Sequence, residues 1–342
     1  MSKRKLTKQQ TWRIEKIQAE RGKRVNKRNT KAEEALLSSD LGPETEGLIL
    51  SHFGTQVEVE SINENNTTLA TRCSLRANLG QLVTGDKVVW RANQQEGGVV
   101  VARLDRENDL CRPDMHGRLK PIAANIDHIL VVVAAEPLAH ANLIDRYIIA
   151  AETAGIPPVI LLNKIDLITD ENREQLDKLL KTYQDLGYQV LRTSTKQKDS
   201  MNELYEFLGG KTSVFVGQSG VGKSSLVNTL LPGVDITVGE LSQKRKKGTH
   251  TTTTARLFHM PKGGDLIDSP GIREFGLWHI SIDELLEGFI EFREHIGYCR
   301  FRDCAHEEEP GCALQVARED NKISETRYQS YLRIKRSILE NL

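Results

Sequence analysis

The chain has 342 residues, 38% hydrophobic and 27% charged, which is typical of a soluble protein with two or three domains. No segment approaches the roughly 18–20 uninterrupted apolar residues of a membrane span. The basic N-terminus also lacks the apolar stretch of a secretory signal. We therefore expect a cytoplasmic protein without a membrane partner. We also expect a monomer.

Opposite charges in different parts of the chain give a formal net charge of zero. Residues 1–31 contain twelve Lys and Arg against two Glu and carry +10, so the remainder carries −10. We expect residues 1–35 to form a basic, disordered arm. A basic arm on an acidic body favours a nucleic-acid partner, and a solvated tail that aids solubility is the alternative.

Five short runs with strand character follow between residues 36 and 114, separated by polar and glycine-containing turns. The runs are Gly47–Leu50, Gln56–Val59, Thr67–Ala70, Lys87–Trp90 and Gly98–Val101. They suit a small closed barrel, and we favour an OB-type barrel, a fold that commonly binds nucleic acid. A barrel that mediates only protein contacts is the alternative. Cys73 and Cys111 are expected to be buried small residues of this region.

Apolar strands alternate with helical patterns between residues 115 and 275, which predicts an α/β domain with a doubly wound parallel sheet. The predicted strands are Ile126–Ala134, Val159–Leu162, Gln189–Arg192, Val214–Val216 and Leu266–Ile267. The predicted helices are Leu143–Ala154, Glu171–Leu186 and Lys223–Leu231.

A complete P-loop pattern lies between a predicted strand and a predicted helix of this domain. It consists of Gly217, Gln218, Ser219, Gly220, Val221, Gly222, Lys223 and Ser224, and Ser225 follows. Its glycines allow the backbone to wrap around phosphates, and the helix N-terminus offers them positive dipole. We expect Lys223 to act catalytically on the β- and γ-phosphates and the Ser224 hydroxyl to bind Mg²⁺. A glycine turn that binds nothing is the alternative.

The identity of the nucleotide base is predicted from the segment Asn163-Lys164-Ile165-Asp166. This segment directly follows a predicted strand. The Asp166 carboxylate can accept two hydrogen bonds from guanine N1–H and N2–H₂, and adenine offers no such pair of donors. The Lys164 stem can lie along the base, and Asn163 can tie the loop together. Ser194-Thr195-Lys196 follows another strand and predicts a second base-side element. Because the guanine motif precedes the P-loop, we predict a circularly permuted P-loop domain that binds GTP and GDP.

Two further segments have the positions of the nucleotide switches. In Asp268-Ser269-Pro270-Gly271, Asp268 is expected to hold Mg²⁺ through water and the Gly271 N–H to contact the γ-phosphate. Residues 248–253 lie where switch I belongs, and one threonine there should close on Mg²⁺. We favour Thr252, then Thr251; part of this run could instead be a threonine-rich edge strand.

Ile272 stands where many GTPases have the glutamine that orients the attacking water. An aliphatic side chain cannot do this, which predicts slow intrinsic hydrolysis. His250 is the nearest polar residue that could position the water, and an exposed histidine without a catalytic role is the alternative.

The segment 276–342 is helical and charged, and an amphipathic helix is predicted over Ile323–Leu339. It contains the ligand types of a closed tetrahedral zinc site, namely Cys299, Cys304, His306 and Cys312. We expect one structural Zn²⁺ per chain, which would staple a segment too small to fold on its own core. Unrelated thiols beside a surface histidine are the alternative.

Over nearly its whole length the chain resembles the RsgA (YjeQ) family of circularly permuted GTPases. The resemblance rests on the barrel, the motif order N-K-x-D, S-x-K, P-loop, G-x-H-T-T-T and D-S-P-G, and the terminal metal cluster. It implies a GTPase that acts late in maturation of the small ribosomal subunit, is stimulated by the subunit and contacts its rRNA. A nucleotide-gated RNA-binding scaffold with incidental hydrolysis is the alternative, and Asp166 disfavours an ATPase.

Overall fold

A computed structural model of the chain describes residues 41–62, 70–76, 79–93, 97–114, 117–234, 255–269, 272 and 280–340. The basic arm, the switch I residues His250, Thr251 and Thr252, and Gly271 lie outside the described residues. The chain divides into two compact units, residues 1–106 and 107–342. Within the described ranges, no helix combines the length and apolarity needed to cross a bilayer.

The first unit is a five-stranded barrel with the OB-type connectivity that the sequence predicts. Its strands are β1 (Leu41–Phe53), β2 (Gln56–Ser61), β3 (Thr71–Leu75), β4 (Lys87–Asn93) and β5 (Gly98–Arg103). Strand β1 pairs with both β2 and β4, and the circle closes through β2–β3, the parallel pair β3–β5, and β4–β5. Alternate side chains such as Val57, Val59, Val88 and Val100 fill the interior.

The third strand begins at Thr71, four residues later than predicted. Ala70 precedes β3, and residues 67–69 lie outside the described residues. In β3 the buried Cys73 and Leu75 alternate with the exposed Arg72, which is the period of a half-buried strand. Cys73 is thus buried, as predicted.

A hairpin of β6 (Asp109–Pro113) and β7 (Leu119–Ala124) opens the second unit. The two units divide at 106/107, and the sequence predicts that the barrel ends at residue 114. Asn108, just before β6, is bound to the segment that follows β7. Its side chain exchanges two hydrogen bonds of 2.9 Å with the backbone of Ile126. Cys111 therefore belongs to this hairpin rather than to the barrel, and it is only half-buried.

A mainly parallel sheet forms the centre of the second unit. Its strands are β8 (His128–Ala134), β9 (Pro158–Asn163), β10 (Gln189–Arg192), β11 (Thr212–Val216), β12 (Arg256–His259) and β13 (Asp265–Asp268). Their order is β10–β9–β8–β11–β13–β12, and only the β12–β13 pair is antiparallel. The five predicted strands are present. Strand β8 is apolar almost throughout, as expected of a parallel strand covered on both faces.

Helices α1 (Ala141–Thr153), α2 (Asp170–Asp185), α3 (Lys198–Leu208) and α4 (Lys223–Leu230) connect these strands. Neither α3 nor β12 is among the elements predicted from the sequence. A signal for α3 is present, because Met201, Leu204 and Leu208 have helical spacing and are buried.

The C-terminal segment consists of α5 (Ile282–Gly288), a 3₁₀ turn (Ile290–His295), a cysteine-rich loop, α6 (Ala313–Glu319) and α7 (Glu325–Leu339). Helix α7 begins two residues later than predicted because the Ser324 hydroxyl caps it by accepting from the Arg327 N–H. Phe289, Phe292 and Tyr331 share a buried core with Ile149 of α1. The segment therefore packs directly on the nucleotide-domain helix.

Candidate functional site

Parallel strands bring the sequence-distant nucleotide motifs to one edge of the sheet. Strand β8 lies between β11 and β9 in register, and β10 and β13 lie outside these two. The carboxyl end of β11 leads into the P-loop and that of β9 into Asn163–Asp166. The ends of β10 and β13 lead to Ser194 and Asp268. Ligands of open α/β sheets bind in the crevice at this edge.

The P-loop backbone approaches its neighbours closely at two glycines. Gly217 has φ +141°, and a Cβ there would lie 2.3 Å from the carbonyl oxygen of Val132 in β8. Gly222 has φ +95°, and its Cβ would lie 2.4 Å from Asn163 Nδ2. Both positions therefore require glycine. The loop so formed leads straight into the N-terminus of α4, where backbone N–H groups are available to an anion.

The loop residues differ in exposure in a way that suits phosphate binding. Val221 is fully buried, Gln218 and Ser224 are half-buried, and the remaining members of the tip are exposed, namely Ser219, Gly220 and Ser225. The Lys223 ammonium donates to the Gly217 carbonyl and, at 2.8 Å, to the Gln218 carbonyl. Its charge is thus held against the first two residues of the loop.

The guanine motif is clamped onto the P-loop. Asn163 Nδ2 donates to the Val221 carbonyl oxygen at 2.8 Å. Lys164 Nζ donates to the Gly220 oxygen at 2.7 Å and to the Glu136 oxygen at 2.8 Å. Glu136 follows β8 and is not among the site residues predicted from the sequence. No signal could have identified it, because every residue offers a backbone carbonyl.

Asp166 is joined to the second base-side element through both carboxylate oxygens. Ser194 Oγ donates to Oδ1 at 2.5 Å and Lys196 Nζ donates to Oδ2 at 2.8 Å, while Thr195 between them is exposed. The hydrogen bonds from Lys196 and then Ser194 lower the pKa of Asp166. The carboxylate therefore stays ionised at neutral pH and can accept from N–H donors of a base.

The candidate magnesium ligands stand on neighbouring elements. Ser224 is the second residue of α4, which follows β11, and Asp268 ends β13, the strand paired with β11. The other predicted ligand, Thr252, lies outside the described residues together with Thr251, His250 and Gly271. Ser and Asp oxygens are ligand types that Mg²⁺ uses beside nucleotide phosphates.

Ile272 is fully buried. Its N–H donates to Ser269 Oγ at 3.0 Å, and Ser269 is buried as well. The side chain at the position of the usual water-orienting glutamine is therefore both aliphatic and packed into the protein interior.

The four predicted zinc ligands come together in the C-terminal segment. Their ligand atoms all lie within 4.8 Å of one another. His306 Nδ1 is 3.5 Å from Sγ of both Cys299 and Cys312. With Zn–S bonds of about 2.3 Å and Zn–N bonds of about 2.0–2.1 Å, tetrahedral geometry separates sulfur from nitrogen by about 3.6 Å. The arrangement of these residues and Cys304 fits a tetrahedral metal ion.

Groups around this cluster fix its backbone. The hydroxyl of Tyr328 donates to the His306 carbonyl at 2.8 Å, and Lys335 Nζ donates to the Ala305 carbonyl at 2.7 Å. The Ala313 N–H points at Cys299 Sγ across 3.3 Å. Burial first, and then the neighbouring sulfurs, raise the pKa of the Cys304 thiol to about 12. A cation bound among these sulfurs would favour their thiolate forms.

Comparison with known proteins agrees with this geometry. The model of the RsgA GTPase family matches residues 103–278. The small ribosomal subunit biogenesis GTPase RsgA of Azotobacter vinelandii is 59% identical over 340 residues, which cover 99% of each chain. The protein of the same name from Pseudomonas aeruginosa PAO1 shows the same identity and coverage. The chain belongs to the RsgA GTPase family. Membership makes it a GTP-hydrolysing enzyme.

Two solved structures extend the RsgA likeness to the whole architecture. YjeQ from Thermotoga maritima superposes with a TM-score of 0.72 at 31% identity, covering 87% of this chain and 99% of that one. YloQ, described as a circularly permuted GTPase, superposes with a TM-score of 0.69 at 27% identity, covering 89% and 98%. The chain is thus a multidomain protein with an OB-type barrel, a circularly permuted GTPase domain and a C-terminal helical segment with a Cys₃His cluster.

Proposed function

We propose that this chain is a GTP-driven assembly factor of the small ribosomal subunit that acts late in its maturation and contacts its rRNA. The observation that carries the proposal is the convergence of the P-loop, Asn163–Asp166, Ser194–Lys196 and Asp268 at one sheet edge. The curated relatives, which match over nearly the full length, are named small ribosomal subunit biogenesis GTPases.

In the proposed complex, Asp166 accepts from N1–H and N2–H₂ of guanine while the Lys164 stem lies along the base. The P-loop N–H groups bind the phosphates and Lys223 neutralises charge on the β- and γ-phosphates. Ser224, Thr252 and, through water, Asp268 hold Mg²⁺, which supplies further neutralisation of the phosphate oxygens. Gly271 contacts the γ-phosphate.

Hydrolysis without a partner is slow in this proposal, because the buried Ile272 cannot orient the attacking water. His250 orients it instead once the small subunit orders switch I around the nucleotide. The subunit is then both the partner and the activator of the reaction.

The other parts of the chain bind RNA and stabilise the fold. The Cys₃His cluster holds one structural Zn²⁺ per chain, since three thiolates and an imidazole leave no open coordination position. The +10 arm and the OB-type barrel contact rRNA. The protein works as a cytoplasmic monomer without a membrane partner.

The experiment measures whether hydrolysis drives release from the subunit. Ser224→Ala removes a proposed Mg²⁺ ligand at the start of α4. Thr229→Ala, in the same helix, removes an exposed hydroxyl bonded to a backbone carbonyl and serves as control. GTP turnover and dissociation of the chain from purified small subunits are measured together.

We expect Ser224→Ala to lose turnover and to remain on the subunit, whereas Thr229→Ala behaves as wild type. If Ser224→Ala lost turnover but left the subunit at the wild-type rate, hydrolysis would be incidental and the scaffold function would be correct.

A further inference from the structure

Helix α7 of the C-terminal segment is bound side chain by side chain to helix α1 of the nucleotide domain. Arg327 Nη1 donates to Asp145 Oδ1 at 2.5 Å, and Arg146 Nη2 donates to Ser337 Oγ at 2.6 Å. A third contact joins Asn142 Nδ2 to the Ser330 carbonyl at 3.4 Å. All three residues of α1 lie in its first two turns, the part nearest the nucleotide edge.

The centre of this contact is a buried group of charges. The side chains of Arg327, Asp145 and Glu291 are 1%, 0% and 6% exposed, and Arg327 Nε lies 2.7 Å from Glu291 Oε1. The Tyr183 hydroxyl of α2 donates to Asp145 Oδ1 at 2.6 Å. Burial opposes the charge on Arg327, but the carboxylates of Asp145 and Glu291 outweigh it and raise the pKa of the guanidinium.

Such a buried group of charges adds little to the free energy of folding. The free-energy cost of desolvating buried charges cancels most of the free energy gained from their attraction. Well-packed apolar residues often stabilise a core equally well. A buried ion pair does, however, restrict the two helices to one relative placement. The consequence of that restriction depends on what α1 itself positions.

The loop before α1 touches two nucleotide motifs. Its Glu136 carbonyl accepts from Lys164 Nζ at 2.8 Å. Pro137 Cδ lies 3.8 Å from the position of a Cβ on Gly220. Since α1 begins at Ala141, a shift of its first turns moves this loop against the guanine motif and the P-loop.

On its other side, helix α7 contacts the backbone of the Cys₃His loop through Tyr328 and Lys335. Tyr328 directly follows Arg327. One helix therefore contacts both the ligand loop and α1.

We propose that Arg327 and Asp145 are positioning residues for guanine-nucleotide binding. They fix the first turns of α1 and thereby hold the Glu136 carbonyl against Lys164. By linkage, a partner that displaces the C-terminal segment changes nucleotide affinity, and the nucleotide changes affinity for that partner by the same factor. The inference rests on the proposed GTP site.

Arg327→Met tests this, because methionine keeps apolar bulk in the site while removing the charge and its donors. The affinity for GDP is measured with a fluorescent N-methylanthraniloyl derivative at a temperature where thermal unfolding shows each variant folded. Steady-state GTP turnover is measured in parallel. Arg293→Met is the matched control, since it removes an exposed contact of the same segment with Glu152 at the far end of α1.

We expect Arg327→Met to raise the Kd for GDP and the KM for GTP about fivefold or more, with kcat changed much less. Arg293→Met should leave both affinities within about twofold. If Arg327→Met does not fold, the second variant is Ser337→Ala, which removes the hydroxyl that accepts from Arg146 of α1. It should raise the Kd for GDP measurably.

Equal affinity for GDP in folded Arg327→Met and wild type would overturn the positioning role, as would an equal rise in Arg293→Met. With Ser337→Ala as the fallback, an unchanged Kd would do the same. Failure of the wild-type chain to bind GDP would instead refute the proposed function itself.

Discussion

Asp166→Asn tests base recognition most sharply. Both carboxylate oxygens accept short hydrogen bonds, from Ser194 and Lys196. Asparagine keeps the shape but replaces one acceptor by an amide NH₂ group, which faces the donors of guanine and the Lys196 ammonium. A hydrogen bond to a charged group contributes about 1.5–3 kcal/mol. Loss of two such bonds to guanine removes about 3 kcal/mol or more, which is about 100-fold in affinity.

The assay compares the Kd values of GDP and xanthosine diphosphate for wild type and variant. Xanthine carries a carbonyl oxygen where guanine carries the N2 amino group, so an asparagine NH₂ can donate to it. We expect Asp166→Asn to lose about 100-fold in GDP affinity and to prefer the xanthine nucleotide. Asp177→Asn, which neutralises an exposed carboxylate paired with Arg192, is the control and should change neither value.

If Asp166→Asn bound GDP within about threefold of wild type and gained nothing for xanthosine diphosphate, Asp166 would not recognise the base. The role of Ser194–Lys196 as a second base-side element would then be wrong as well, because Ser194 and Lys196 contact the site through the Asp166 carboxylate.

Three further predictions concern the loop, the switch and the metal. Gly222→Ala places a methyl group 2.4 Å from Asn163 Nδ2, on a left-handed backbone that alone costs about 1–2 kcal/mol, so the P-loop should shift away from Asn163 and titration should show at least about tenfold weaker GDP binding. Ile272→Gln buries an amide and should lower the free energy of unfolding by about 1–3 kcal/mol without faster GTP turnover; a faster rate would contradict the buried placement. Denatured protein should release one equivalent of Zn²⁺, and Cys304→Ser or a strong chelator should lower the unfolding temperature; an unchanged temperature on metal loss would argue against a structural ion.

The sequence predicts those parts of the fold that depend on local pattern. The apolar run of β8 and the strand–loop–helix context of Lys223 are enough to identify the sheet and the P-loop. The order of the guanine motif and the P-loop predicts the permutation, because each motif needs only the end of one strand. The Cys₃His spacing predicts a cluster that the structure brings together.

Tertiary contacts could not be predicted in the same way. Arg327 and Asp145 are 182 positions apart, and neither belongs to a recognisable motif. The Glu136 contact uses a backbone carbonyl, which carries no side-chain signature. Asn108 ties the start of the β6–β7 hairpin to Ile126 through two hydrogen bonds that no local pattern indicates. Each of these contacts depends on which elements become neighbours after folding.

The most direct test of the proposed function is GTP turnover by the full chain alone, with purified small ribosomal subunits, and with large subunits as control. We expect small subunits to raise kcat by roughly tenfold or more and large subunits to leave it unchanged. His250→Ala should lower the stimulated rate and leave the slow intrinsic rate intact. Equal turnover by the wild-type chain with and without small subunits would contradict the account.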